Sequence, residues 1–358
     1  MRTIIPFLLG AMASSPAFAQ DIAGTYPVAS LQRSHAPSGN ASPGERLSDE
    51  VEETLVLFEF EQHDRMTLPV RMGERSDLDF MVDTGAERSA ISSELANELA
   101  LSETGIKTVI SFAGTTQVPS VRAPSIGFGE DDWRSMEMLT FKRRAIGADG
   151  VLGIDSLQNK IVTFDFEDEE MRIRPSPNGK KRAGSREVAV DLVEREGRLV
   201  ISNARISGLQ VDIIIDTGSA VSVGNMALRD RLRREGKLSD LQEGVMLTFT
   251  GQLVPAEVGV VRNVDVDGFT VSRMAVAFVR SQSFDYLGYV DEPVLYLGME
   301  AMRAFRQLEI DFANKRALFK ARDVPGFNSR SNWFIEQEQK RHREKTLERL
   351  SSPPVPGS

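Results

Sequence analysis

Two stretches of this chain set an aspartate in the same surroundings. Leu78-Asp79-Phe80-Met81-Val82 leads into Asp83-Thr84-Gly85-Ala86; 133 positions later Val211-Asp212-Ile213-Ile214-Ile215 leads into Asp216-Thr217-Gly218-Ser219. Three apolar residues precede each Asp, the pattern of a buried strand that delivers a carboxylate to a loop. The hydroxyl beside the Asp can lock that loop by hydrogen bonding. The glycine lets the backbone turn tightly and approach a neighbour closely. Two such loops facing one another bring their carboxylates close together. Like charges so placed do not both ionise easily, so the pair shares a proton. One member can then deprotonate a water while the other protonates or polarises a carbonyl. A single Asp-Thr-Gly reads equally well as a turn; the repetition is what points to chemistry.

The elements around the motifs repeat too. Gly150-Val151-Leu152-Gly153 in the first block answers to Leu295-Tyr296-Leu297-Gly298 in the second. Each block closes on a matching strand, Val162-Thr163-Phe164-Asp165-Phe166 and Leu308-Glu309-Ile310-Asp311-Phe312. The remaining periodicity is short, apolar or alternating, rich in Val, Ile and Phe and cut by Gly, Asp and Asn turns. Helices are expected over Ser92–Leu99 and Met226–Arg234, for a turn or two after each Leu-Gly, and in the tail. The fold class is therefore all-β with short helices, arranged as two homologous lobes: 51–175 and 186–322, joined by a Pro-, Gly- and Lys-rich linker at 176–185. Residues 20–50 read as a flexible leader and 323–358 as a charged tail.

Arg2, the apolar run from Ile4 to Ala13 and Ala17-Phe18-Ala19 have the layout of a secretory signal peptide over residues 1–19. That implies export, to a periplasm or beyond. No apolar stretch is long enough for a membrane helix. At 358 residues the chain can build two real cores, and its formal net charge of −9 argues against a nucleic-acid partner. The absence of cysteine rules out disulfides, a thiol nucleophile and Cys-ligated metal. No Gly-x-Ser-x-Gly elbow and no His-Glu-x-x-His are present, and His35, His63 and His342 fall in leader, loop and tail. Asn263-Val-Asp265-Val-Asp267-Gly268 opens like a calcium loop but reaches Met274 where a bidentate Glu belongs, so it reads as a hairpin turn. Glu167-Asp168-Glu169-Glu170 reads as a solvated turn. No metal or cofactor is expected.

On Asp83-Thr84-Gly85-Ala86 with Leu152-Gly153, and Asp216-Thr217-Gly218-Ser219 with Leu297-Gly298, the sequence resembles the retropepsin-like aspartic peptidases, in the form that carries two lobes in one chain. The resemblance spans roughly residues 55–322. It implies a pseudo-twofold pair of acid-protease lobes with the site between them, Asp83 and Asp216 as catalytic residues of an endopeptidase, and a protein or peptide substrate; a catalytically silent peptide-binding module or scaffold that retains the fold is the other reading. It also implies that Thr84 and Thr217 interlock the two loops. A monomer suffices, since both aspartates come from one chain. The family places a glycine-bearing hairpin, the flap, between the motifs of a lobe. Ala113 and Gly114, within Phe112–Thr116, and Thr250 and Gly251, within Phe249–Gln252, stand there; ordinary surface hairpins are the other reading. Finally, Ser219 can donate a hydroxyl hydrogen bond to its aspartate where Ala86 cannot. The pair is therefore expected to keep its proton to higher pH than one flanked by two hydroxyls.

Overall fold

The computed structural model describes residues 66–322 apart from short breaks at 129–130, 134, 178, 181–182, 184–186 and 267–268, together with three upstream strands, Ile4–Pro6, Gly10–Met12 and Ser30–Gln32. The expected cleavage site, most of the leader, all three histidines and the tail lie outside the described residues, as do parts of the linker.

Each lobe is built on one sheet, and the two sheets have the same order. In the first, Arg75–Val82 runs parallel to Gly150–Leu152, which pairs antiparallel with Ala90–Ser92. Met136–Phe141 follows in parallel, then Gly114–Ala123 and Ser102–Ser111, both antiparallel. In the second, Leu209–Ile215, Val294–Leu297, Ser222–Asn225, Phe269–Val279, Leu253–Val266 and Gln242–Thr248 repeat those relationships strand for strand. The duplication read from the motifs is thus a duplication of topology, related by a pseudo-twofold axis.

The strands leading to the aspartates are buried on both faces. Leu78, Phe80 and Val82 point into the main core, as do Val211, Ile213 and Ile215; Met81 and Ile214 point to the opposite face, into two smaller apolar clusters. Alternation along a strand separates the two sets, so one segment packs against two clusters.

Helix Ser93–Glu98 starts on Ser92, whose Oγ accepts from the Leu95 N–H at 3.1 Å. Helix Met226–Arg234 starts on Asn225, whose Oδ1 accepts from Leu228 N–H at 2.9 Å. Both are the helices expected, with Ser92 and Leu99 acting as caps. Short helices Ile154–Leu157 and Met299–Met302 follow the two Leu-Gly pairs. Arg143–Ile146 and Gln282–Tyr286 were not expected; at four and five residues they are too short to show a periodic stripe.

A third sheet joins the lobes. Its order is Glu170–Pro175, Lys160–Asp165, Gln307–Asp311, Arg316–Lys320, Glu187–Asp191. The two closing strands pair directly across the axis, Ile161 opposite Asp311 through Asp165 opposite Gln307. The acidic run 167–170 is the exposed turn of the first hairpin. Residues 263–266 lie on a strand whose last residue, Val266, pairs with Phe269, as the hairpin reading of the Asp-rich run expects; residues 267–268 lie outside the described residues.

Candidate active site

The two Asp-Thr-Gly loops meet at the axis. Each hangs from its neighbouring strand by one bond: Asp83 N–H donates to the Leu152 carbonyl and Asp216 N–H to the Leu297 carbonyl, both at 3.0 Å. The returning chain then bonds back, Ile154 N–H to the Ala86 carbonyl at 2.9 Å and Met299 N–H to the Ser219 carbonyl at 2.8 Å.

Thr84 and Thr217 tie one loop to the other. Thr84 Oγ1 donates to the Ile215 carbonyl at 2.6 Å and accepts from Thr217 N–H at 3.1 Å. Thr217 Oγ1 donates to the Val82 carbonyl at 2.7 Å and accepts from Thr84 N–H at 3.1 Å. These four buried bonds tie the loops together, and each threonine hydroxyl satisfies two groups that the loop backbone would otherwise leave unpaired.

The glycines make room for the opposite carboxyl group. A Cβ on Gly85 would lie 2.5 Å from Asp216 Oδ1, and one on Gly218 would lie 2.4 Å from Asp83 Oδ1. Neither glycine has a positive φ, so close approach is what requires them. Asp83 Oδ1 accepts from Gly85 N–H at 2.7 Å; Asp216 Oδ1 accepts from the N–H groups of Gly218 at 3.1 Å and Ser219 at 3.2 Å.

Both aspartates are fully buried, and neither Oδ2 meets a fixed donor among the described residues. Burial raises both carboxyl groups above the usual range, and the charge of Asp83 raises Asp216 further. Asp83 is in turn favoured as the anion by the Gly85 N–H, the charge of Arg198 and the Ala86 N–H. Two like charges held this close and this deeply buried do not both ionise easily, so the pair shares one proton.

Sequence reasoning missed Arg198. It is fully buried at the start of strand Arg198–Ile206, and its positive charge favours the ionised forms of Asp83, Asp216 and Glu87. Tyr296, also fully buried, lies within reach of that charge and sits on the strand beside the Asp216 loop. The available signal was an arginine opening the otherwise apolar run Leu199-Val200-Ile201, where a charge needs a reason. The Ser219 expectation is corrected: its Oγ donates to the Val221 carbonyl at 2.8 Å and is not directed at Asp216. Ala86 and Ser219 both serve their aspartates through backbone N–H groups, so the loops are more alike than their side chains suggest.

The flap segments are hairpin turns. Phe112-Ala113 links Ser102–Ser111 to Gly114–Ala123, and Phe249–Gln252 links Gln242–Thr248 to Leu253–Val266. Their phenylalanines do not face solvent: Phe112 and Phe249 are each 2% exposed. Among the described residues no helix is long and apolar enough to cross a membrane.

Comparison with known proteins follows the same division. Residues 68–159 match the family model of a gag-polyprotein putative aspartyl protease, and residues 202–301 match that of an aspartyl protease. A crystal structure of a retropepsin-like aspartic protease from Rickettsia conorii is 17% identical over 38% of this chain and 90% of that chain, with a TM-score of 0.28. No curated protein matches the chain. With an aspartyl-protease domain in each of two topologically equivalent lobes, the chain belongs to the retropepsin-like aspartic peptidases in their two-lobed, single-chain form.

Proposed function

We propose that the chain is an exported aspartic endopeptidase that hydrolyses peptide bonds with Asp83 as general base and Asp216 as proton donor. The observation that carries this reading is the pair of fully buried carboxyl groups on loops interlocked by Thr84 and Thr217, each carboxyl seated against the other loop's glycine. Asp83 takes a proton from water as the water oxygen bonds to the carbonyl carbon, and Asp216 gives its proton to the carbonyl oxygen. The tetrahedral diol then collapses: Asp83 gives the proton it took to the amide nitrogen, Asp216 takes one back from a diol hydroxyl, the C–N bond breaks, and the amine and acid leave with the pair restored. No metal or cofactor enters these steps. Both carboxyl groups come from one chain whose lobes share a backbone-bonded sheet, so a monomer is the working unit.

Incubating the purified chain with an unfolded protein between about pH 5 and 7, with mass-spectrometric identification of new termini, tests the activity. Internal cleavage supports it; an intact substrate across that range overturns it. Export is tested by the N-terminus of the chain recovered from the periplasmic fraction, expected at Gln20.

A further inference from the structure

The two aspartates have no solvent exposure at all. A peptide or a water can reach them only after something moves, and a phenylalanine from each flap hairpin packs against the strands that lead to them.

Phe112, from the hairpin of the first lobe, packs into the second. It joins Val200, Ile214, Val221, Val223 and Tyr296, with its ring 5.6 Å from that of Tyr296 at 85° and 5.6 Å from that of Phe284 at 48°. Phe249, from the hairpin of the second lobe, packs into the first, among Met81, Ala86, Ala90, Phe141 and Val151, with its ring 4.6 Å from that of Phe141 at 89°. The walls of these pockets are chain neighbours of the aspartates. Ile214 and Met81 each stand two positions before an Asp, Val223 and Ala90 seven after, and Tyr296 and Val151 lie on the strand beside each loop. These apolar faces flank the dyad, and each is filled by an aromatic ring reaching over from the opposite lobe.

We propose that Phe112 and Phe249 are internal plugs. Each occupies the pocket that takes a substrate side chain on one side of the scissile bond, so the chain is held in a self-blocked state until a peptide with large apolar residues on both sides of that bond displaces them. This rests on the peptidase reading for the words substrate and scissile, but not for the plugs themselves. The hold on the first hairpin is light: Ser281 Oγ donates to the Ser111 carbonyl at 3.3 Å and Thr115 Oγ1 to Gln282 Oε1 at 3.4 Å, the latter at the surface. Those are long bonds that water can replace, so the apolar side chains are what keep the hairpin shut. The two pockets differ. The one in the first lobe is lined by apolar groups, whereas the one in the second includes the Tyr296 ring, within reach of the Arg198 charge.

The test uses the full chain carrying Asp216→Asn, so that binding is read without cleavage. Probes are a fluorescent peptide with two adjacent phenylalanines at its centre and a matched peptide with two serines, followed by anisotropy. Because only the open fraction binds, removing a plug raises apparent affinity. Phe112→Ala and Phe249→Ala are each expected to tighten the Phe-Phe peptide by about tenfold, with little gain for the Ser-Ser peptide. Weaker or unchanged binding, or no binding by any variant, overturns the proposal in favour of fixed core residues. A second readout covers the case in which an alanine variant fails to fold. The chain has no cysteine, so Phe112→Cys is a clean reporter. The Phe-Phe peptide is expected to speed its thiol labelling by competing for the pocket; a peptide that slows or does not change labelling overturns the plug. A chain that binds as expected but never cleaves with both aspartates intact would sink the peptidase reading alone.

Discussion

Thr217→Val tests the interlock that sets the two aspartates face to face. The substitution keeps shape and removes one hydroxyl. Two buried groups lose their partner at once: the Val82 carbonyl, which accepts at 2.7 Å, and the Thr84 N–H, which donates at 3.1 Å. A buried polar group left without a partner costs about 1–3 kcal/mol, so the pair costs about 2–6 kcal/mol. Thr217→Ser keeps the hydroxyl and loses a methyl, at about 1 kcal/mol. Domains of ordinary stability have only about 5–15 kcal/mol in all, so the difference is large. Urea denaturation of the purified chain reads it directly. With a slope near 3 kcal/mol/M, the Val variant should lose about 0.7–2 M from its midpoint and the Ser variant less than about half of that. The Ser variant should also keep far more activity, because its loops stay registered. If Thr217→Val proved no less stable than Thr217→Ser, the crossed hydrogen bonds would not be what joins the loops.

Three further outcomes follow from the site. Asp83 and Asp216 have folded-state pKa values raised above the ordinary 3.8, so their neutral forms favour folding: stability is full below about pH 4 and falls as pH rises. Glu300, pushed up to about 7 by burial, acts in the same direction. The melting-temperature gap between Asp216→Asn and the parent should therefore grow from pH 4 to pH 8; a constant gap contradicts the shared-proton picture. Gly85→Ala should abolish activity, since its Cβ would lie 2.5 Å from Asp216 Oδ1, while Gly244→Ala, whose nearest neighbour is 3.5 Å away, should stay near the parent; equal activity of the two would refute the close approach. Arg198→Met should move the alkaline limb of the pH–rate profile upward, because a cation that favours the charged dyad is removed; a purely structural role would lower the rate without moving the limb.

The sequence carried the parts of the site that depend on local rules. An aspartate after three apolar residues, followed by Thr-Gly, needs a buried strand and a tight loop, and both copies have them. The helices after Ser92 and Asn225 were legible for the same reason, since a capping side chain announces a start. What was hidden depends on the second lobe. Arg198 looked like a strand residue until its side chain was placed among Asp83, Asp216 and Glu87. Phe112 and Phe249 read as residues of exposed hairpin tips because nothing nearby in sequence says that the opposite lobe receives them. Ser219 misled in the other direction: a hydroxyl beside a carboxylate suggests a bond between them, but the Val221 carbonyl lies within reach and takes it. Side-chain partners chosen from several near candidates are settled by packing, which a single sequence does not display.

The most direct test of the account is the activity of the single variants Asp83→Asn and Asp216→Asn against an unfolded protein, measured alongside circular dichroism to establish that each remains folded. A dyad that shares one proton works only as a unit. Each variant is expected to lose activity about as completely as the double variant does. Near-parental turnover by either one, in a folded chain, would contradict the two-aspartate mechanism.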